Sequence, residues 1–164
     1  MKKIFLLVCI LGLFSCHFTQ DAKYLSGIST LPPFDILLMD STTLLHAGDI
    51  PTGKPIVMIY FRPDCPHCQV ETKNLVESIE RLKNFRIYFL TAAELGDAKT
   101  YAHEFHLDQY PNIITVGKDH EHSFARVFQP SSIPYLAIYD DKKKLIKVYH
   151  GEVPVNNLVT AVHG

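Results

Sequence analysis

The sequence CPHC at residues 65–68 restricts what this chain can do more than any other pattern in it. The preceding segment, Pro55–Phe61, is rich in β-branched and aromatic residues, which predicts a buried strand. Arg62-Pro63-Asp64 ends that strand, and a helix-periodic segment follows the second cysteine. Two cysteines separated by two residues, placed where a strand turns sharply into a helix, are typical of thiol–disulfide exchange.

The chemistry of exchange assigns different roles to the two cysteines. A thiolate attacks disulfides, so the nucleophile needs surroundings that favour an anion. Cys65 is predicted at the N-cap, where unpaired N–H groups and the helix dipole favour negative charge, and Pro66 at N1, where a missing N–H costs nothing. His67 adds a donor or a positive charge beside the sulfur, whereas Asp64 adds an opposing negative charge. Cys68, one turn further on, is the candidate resolving thiol.

Two other uses of a CxxC motif fit this sequence less well. A zinc site needs further ligands, and the sequence has no second CxxC or nearby Cys/His pair. A structural bridge across two residues closes a very short loop and adds little stability. We therefore expect a redox-active disulfide, Cys65–Cys68, with no metal and no cofactor.

The first 15 residues have the pattern of a signal peptide. Lys2-Lys3 form a basic start and Ile4–Leu13 an apolar run too short to span a bilayer as a stop-transfer helix. The sequence Leu13-Phe14-Ser15-Cys16 resembles a bacterial lipobox, which implies cleavage before Cys16 and a lipid on its sulfur. The alternative is an ordinary signal peptide that contains a stray cysteine.

Export and lipidation would leave only the CPHC cysteines free, because Cys9 leaves with the signal peptide and Cys16 carries lipid. An exported domain whose only cysteines are these two uses them for disulfide exchange and not as a structural disulfide. The expected organisation is a signal peptide (1–15), a tether (16–32) and one domain (33–164), lipid-anchored on the periplasmic side of a bacterial envelope. The net charge of −1 gives no electrostatic reason to expect nucleic acid as a partner.

Two segments resemble the thioredoxin superfamily. Pro55–Glu71 resembles its active-site segment, and Ser132–Leu136 resembles its cis-proline loop leading into a strand. The likeness covers roughly residues 33–163 and is closest to the TlpA/ResA-like membrane-anchored branch, although the dipeptide inside the motif matches the DsbA-type oxidases. The resemblance implies a cis Ile133–Pro134 bond, held beside the first cysteine, in a loop that docks an extended partner chain.

Glu71 is predicted on the same helix stripe as Cys68, one turn further along. Its position alone leaves open whether the carboxyl packs inward or leans into water at the edge of the stripe. Burial would raise its pKa and suit it to moving protons to or from the inner thiol. ResA-like proteins carry a glutamate three residues past the second cysteine, and they lack the buried aspartate of thioredoxin, whose place is taken here by Ile59. The resemblance thus implies that Glu71 is the proton shuttle.

Alternating strand and helix patterns predict an α/β fold with a mixed central sheet, and the resemblance makes this fold thioredoxin-like with helices flanking the sheet. An N-terminal hairpin (Phe34–Met39 and Thr42–Leu45) is expected before the central strand. The further predicted strands are Arg86–Thr91, Asn112–Val116, Ile133–Tyr139 and Leu145–Tyr149. The predicted helices are Pro66 to about Lys83, Leu95–Leu107, Asp119–Phe128 with Asp119 as N-cap, and Val155–Val162.

The leading functional hypothesis is a thiol–disulfide oxidoreductase acting on protein thiols and disulfides of the cell envelope. The Pro66-His67 dipeptide favours an oxidising couple, whereas TlpA/ResA-like proteins often act as reductants, including in c-type cytochrome maturation, so the direction stays open. A peroxiredoxin-like peroxidase needs a threonine where Arg62 stands. A copper-binding module of the Sco type, without exchange activity, uses cysteines separated by three residues plus a distant histidine, whereas two residues separate the cysteines here.

Overall fold

One sheet forms the frame of the domain. The computed structural model describes residues 29–163, so the predicted signal peptide, Cys16 and most of the tether lie outside the described residues. Within that range the sheet has seven strands in the order β2-β1-β5-β4-β3-β6-β7. They are β1 (Asp35–Leu38), β2 (Leu44–His46), β3 (Ile56–Tyr60), β4 (Arg86–Thr91), β5 (Ile114–Asp119), β6 (Tyr135–Tyr139) and β7 (Leu145–His150).

The centre of the sheet is buried on both faces. Every residue of β3 and β6 is buried, which explains why these strands are continuous apolar runs and do not alternate with polar residues. β3 pairs in parallel with β4, and β4 with β5, whereas β6 joins β3 antiparallel and β7 joins β6 antiparallel. The expected α/β fold with a mixed sheet is confirmed, as is the N-terminal hairpin, because β1 and β2 pair antiparallel.

Four helices in the described range cover the two faces: α1 (Pro66–Glu77), α2 (Leu95–Glu104), α3 (Ser123–Phe128) and α4 (Val155–His163). Alternate residues of β3 enter two different cores, because successive side chains of a strand point to opposite faces. Val57 and Ile59 pack with residues of α1, α2 and α4, whereas Met58 and Tyr60 pack with α3. Within residues 29–163, no helix has the length and apolar character needed to cross a membrane.

The prediction of one helix from Pro66 to about Lys83 is wrong in its second half. α1 ends at Glu77, Ser78 leaves the helical conformation with φ −108° and ψ 17°, and a 3₁₀ turn follows at Ile79–Leu82. Both ends of that turn are buried all the same. Residues three apart share a face in a 3₁₀ helix as they do in an α-helix, so the apolar stripe could not reveal the change.

The start of α3 differs from the prediction as well. β5 runs from Ile114 to Asp119 and not over Asn112–Val116, and the helix begins only at Ser123. Between them His120–His122 form a 3₁₀ turn in which Glu121 and His122 have positive φ values of 51° and 55°. Residues with positive φ do not change the hydrophobic periodicity of a sequence, so the sequence pattern did not reveal this turn.

Asp119 nevertheless caps α3 across that turn. Its carboxylate is buried and accepts the amide N–H groups of Phe124 at 2.7 Å and Ala125 at 3.0 Å. It also accepts the hydroxyl of Tyr60 at 3.2 Å. The predicted N-cap is therefore wrong in position, since His122 precedes a helix that begins at Ser123, but the Asp119 side chain still accepts amide groups of its first turn.

The remaining differences are shifts of element ends. α2 stops at Glu104 and not at Leu107, because His106 takes a left-handed conformation with φ 58°. β6 begins at Tyr135, after the proline, and not at Ile133. β7 and α4 each extend one residue further than predicted.

Candidate active site

The CPHC motif lies where β3 leaves the sheet and α1 begins. Cys65 is the N-cap of α1 with extended backbone (φ −90°, ψ 114°), and Pro66 occupies the first turn. The loop before it is held by the side-chain amide of Gln69, which donates to the carbonyl of Pro63 at 2.9 Å. The sequence predicted these positions for Cys65 and Pro66.

The two cysteines, both free thiols, differ in their access to solvent. Cys65 is 9% exposed and Cys68 is 1% exposed. Burial raises the pKa of the Cys68 thiol, so this sulfur resists ionisation until something removes its proton. Both cysteines are thus buried, but Cys65 keeps a small exposed fraction, whereas Cys68 is enclosed and its thiol resists ionisation. The catalytic roles assigned to them remain predictions.

The negative charge expected beside the motif is paired. Arg62 donates to both carboxylate oxygens of Asp64, each at 2.9 Å. This guanidinium lowers the pKa of Asp64, and both side chains are largely exposed. Because the ion pair offsets the carboxylate, Asp64 opposes an anion at Cys65 less than the sequence suggested.

The cis-proline loop lies against the outer sulfur. The Ile133–Pro134 peptide bond is cis, as the resemblance implied, and Cys65 Sγ lies 4.0 Å from the carbonyl oxygen of Ile133. The carbonyl of Pro134 accepts the N–H of Gly151 at 2.8 Å. The structure thus brings Ile133, Pro134 and Cys65 together, while the docking role of the loop stays a prediction.

Glu71 points inward, which answers the question left open by its position. The residue is 1% exposed, and its Oε2 accepts the N–H of Val153 at 2.7 Å. Its other oxygen, Oε1, has no hydrogen-bond partner among residues 29–163. Burial raises the pKa of Glu71 to about 7, the charge of Glu152 adds to the rise, and the Val153 N–H opposes it. A carboxyl of this kind exchanges its proton near neutral pH, as a shuttle must.

Two hydroxyl groups that the sequence reading did not single out hold the backbone of the inner cysteine. The carbonyl oxygen of Cys68 accepts the hydroxyl of Tyr101 at 3.0 Å and that of Thr72 at 2.8 Å, and the two hydroxyls lie 2.6 Å apart. Thr72 follows Cys68 by four residues, so helical spacing could have indicated it. Tyr101 reaches the site from α2 and packs on Phe61 with ring centroids 4.6 Å apart, a non-local contact with no local signal.

His67 lies on the surface beside the motif, with its side chain 74% exposed. Its Nδ1 is 2.7 Å from Oε1 of Glu152, a residue that the sequence reading also missed. In the described part of the chain, no three His, Cys, Asp or Glu residues are grouped in a way that could hold a metal ion.

An open cleft of about 710 Å³ lies next to the motif, between the loop at residues 62–64 and one side of α2. Asp97, Thr100 and Glu104 of α2 line it, and Ala92 and Ala93 contribute apolar surface. A partner chain that reaches Cys65 would have room for a side chain here.

Comparison with solved structures identifies the fold. No family model matches the chain, and no curated protein matches it. Among solved structures, Mycobacterium tuberculosis DsbF is similar with a TM-score of 0.66 and 18% identity, over 79% of this chain and 92% of that one.

Two further solved structures are similar to a comparable degree. A secreted M. tuberculosis disulfide oxidoreductase homologous to Escherichia coli DsbE has a TM-score of 0.65 and 15% identity, over 79% of this chain and 94% of that one. The thioredoxin domain of a Bacteroides vulgatus thiol-disulfide oxidoreductase has a TM-score of 0.64 and 17% identity, over 82% and 94%. The described chain has a thioredoxin-like fold.

Proposed function

We propose that this chain is a thiol–disulfide oxidoreductase that exchanges disulfides with exported proteins through Cys65 and Cys68. One observation carries the proposal: Cys65 lies at the N-cap of α1, three positions before the buried Cys68, and its Sγ is 4.0 Å from the carbonyl oxygen of Ile133 in the cis-proline loop. The solved structures with the same fold include proteins described as disulfide oxidoreductases, which supports the same chemistry here.

The first step forms a mixed disulfide. In the reducing direction, the Cys65 thiolate attacks one sulfur of a partner disulfide, a bond forms between those two sulfurs, and the other partner sulfur leaves as a thiolate. The N-cap position supports this anion through the helix dipole and the unpaired N–H groups of the first turn. The backbone next to Pro134 is placed to pair with the partner chain while its sulfur meets Cys65.

The second step resolves the mixed disulfide. Cys68 gives up its proton, attacks Sγ of Cys65 and displaces the second partner sulfur as a thiolate. Two electrons have then passed from the Cys65–Cys68 dithiol to the partner, and the reverse sequence oxidises a partner dithiol. Glu71 takes up the Cys68 proton, since a carboxylate with a pKa of about 7 is half ionised at neutral pH.

Insulin reduction tests this proposal. The chain in its reduced form should precipitate insulin chains in the presence of dithiothreitol, Cys65→Ser should abolish the effect, and Cys68→Ser should accumulate a mixed disulfide. Lys73→Ala, a change at an exposed residue of the same helix, serves as the control and should behave as wild type. Copper binding by the reduced protein without any insulin reduction would overturn the proposal in favour of a copper-handling module.

We further propose that the chain is exported, lipidated on Cys16 and active on envelope proteins, including those of c-type cytochrome maturation. Two features of the sequence support this placement: the lipobox-like segment ending at Cys16, and the fact that Cys9 and Cys16 are the only cysteines besides the motif pair. Metabolic labelling with a radioactive fatty acid should mark the wild-type chain and not Cys16→Ser. An unlabelled wild-type chain would remove the anchor from the proposal and leave the exchange chemistry untouched.

A further inference from the structure

The turn between β7 and α4 holds two separate parts of the proposed site through its backbone. The N–H of Gly151 donates to the carbonyl of Pro134 at 2.8 Å, and the N–H of Val153 donates to Glu71 Oε2 at 2.7 Å. Gly151 has a φ of +84°, a conformation that favours glycine, and the side chain of Val153 is buried in the core. The backbone of this turn is therefore fixed against both the cis-proline loop and the buried carboxyl.

The residue between them, Glu152, contacts a third part of the site. Its Oε1 lies 2.7 Å from Nδ1 of His67, inside the CPHC motif. Three consecutive residues of one turn thus each make one hydrogen bond to a different part of the site: the cis-proline loop, the motif and the buried carboxyl. Nothing in the local sequence requires this, because the turn follows the motif by more than 80 residues.

The contact between Glu152 and His67 affects the sulfur chemistry. The carboxylate of Glu152, 2.7 Å from one ring nitrogen, fixes the orientation of the His67 imidazole beside the motif. His67 lies next to Cys68 in the sequence and two positions from Cys65, so a positive charge on its ring favours a thiolate. Because a thiolate exists only in the reduced protein, stabilising it makes the disulfide more oxidising.

We propose that Glu152 is a positioning residue of the exchange reaction, which acts through His67 to shift the Cys65–Cys68 couple toward the dithiol. The proposal rests on the proposed function and adds a residue outside the motif that tunes it. Glu152 also carries a negative charge of its own, which taken alone would disfavour a thiolate. Its two effects have opposite signs, so the presence or absence of His67 separates them.

A double-mutant cycle on the full-length chain tests the proposal. The equilibrium of the Cys65–Cys68 couple with a glutathione buffer is measured for wild type, Glu152→Gln, His67→Ala and the double variant. The chain contains no tryptophan, so the reduced fraction is read from the mass added by a thiol-alkylating reagent and not from fluorescence. Glu80→Gln, at an exposed glutamate on the 3₁₀ turn Ile79–Leu82, is the matched control.

We expect Glu152→Gln to make the Cys65–Cys68 couple more reducing. The equilibrium constant for its exchange with glutathione should change by about threefold, which corresponds to about 14 mV and is the size typical of an exposed ion pair. In the His67→Ala background the same change should have no effect or the opposite one. An equal shift in both backgrounds, or a more oxidising couple in the wild-type background, would overturn the proposal. Failure of the wild-type chain to reduce insulin would instead overturn the proposed function, so the two failures are distinguishable.

Discussion

The burial of Glu71 predicts that its carboxyl weakens the fold as the pH rises through neutrality. We consider Glu71→Gln, which keeps the shape of the side chain and an oxygen that can accept the Val153 N–H, but does not titrate. Folding raises the pKa of Glu71 from its ordinary 4.5 to about 7, mainly because the carboxyl loses its contact with water. The variant therefore removes one titration and leaves all others in place.

The sign and size of the effect follow from proton linkage. Between pH 4.5 and 7 the folded state holds a proton on Glu71 that the unfolded chain has released, so the free energy of unfolding falls as the pH rises. The stabilisation of the folded state is complete below pH 4.5 and is lost by the time the pH passes 7. A difference of about 2.5 pH units at 1.36 kcal/mol each amounts to about 3 kcal/mol, an order-of-magnitude figure for a group that is 1% exposed.

Urea unfolding of the oxidised protein at several pH values between 5 and 8 measures this quantity, because the disulfide form has no titrating thiols. The free energy of unfolding of Glu71→Gln, relative to wild type, should rise by about 2.5 kcal/mol from the lowest pH to the highest, because part of the full difference is already lost at pH 5. Glu77→Gln, at an exposed residue of the same helix, should give a flat difference. A flat difference for Glu71→Gln as well would show that the carboxyl is hydrated in the folded protein and would refute the reasoning.

Three further substitutions probe the packing of the core and one contact at the site. Gly117→Ala would place a Cβ 2.8 Å from the carbonyl oxygen of Leu37, so we expect a loss of about 1–3 kcal/mol in urea unfolding. Asp119→Ala would leave two amide groups of α3 and a buried tyrosine hydroxyl without their acceptor, and a calorimetric melt should show a loss of about 2–4 kcal/mol. Tyr101→Phe removes one of two hydroxyl donors to the Cys68 carbonyl, so insulin reduction should stay within about twofold of wild type while stability falls by about 1 kcal/mol.

The part of the site formed by neighbouring residues could be predicted from the sequence, because helix geometry alone determines how these residues are arranged. The N-cap position of Cys65, the place of Pro66 in the first turn and the inward stripe that carries Cys68 and Glu71 all follow from helix geometry within seven residues. The position of Glu71 in the helix did not show whether its carboxyl packs inward or leans into water. Only the packed structure decides this, and it buries the carboxyl.

The partners that reach the site from elsewhere in the chain were beyond such reasoning. Tyr101 reads as one inward-facing aromatic residue of an amphipathic helix, and nothing in that pattern shows that its hydroxyl meets the Cys68 carbonyl. Glu152 reads as an ordinary polar residue beside a glycine, yet it contacts His67. The same limit applies to element ends, since the 3₁₀ turns after α1 and before α3 preserve the apolar pattern while changing the backbone.

What assembles the distant parts of the site is the register of three neighbouring strands. Tyr60 at the end of β3 lies opposite Tyr135 at the start of β6, and Tyr135 lies opposite His150 at the end of β7. The motif, the cis-proline loop and the turn at Gly151 therefore all leave the sheet at one edge. A shift by one residue would exchange the side chains that β6 places in the two cores, so the register that packs both cores also builds the site.

This coupling between core and site predicts opposite outcomes for two insertions of one glycine. An insertion in the turn between β6 and β7, at the far edge of the sheet, should leave insulin reduction within about twofold of wild type, because loops tolerate added length. An insertion directly after Pro134 should reduce it by more than about tenfold, since either the loop moves away from Cys65 or β6 loses its register. Equal activity of the two variants, each first shown to unfold cooperatively in urea, would mean that the sheet does not position the cis-proline loop for exchange.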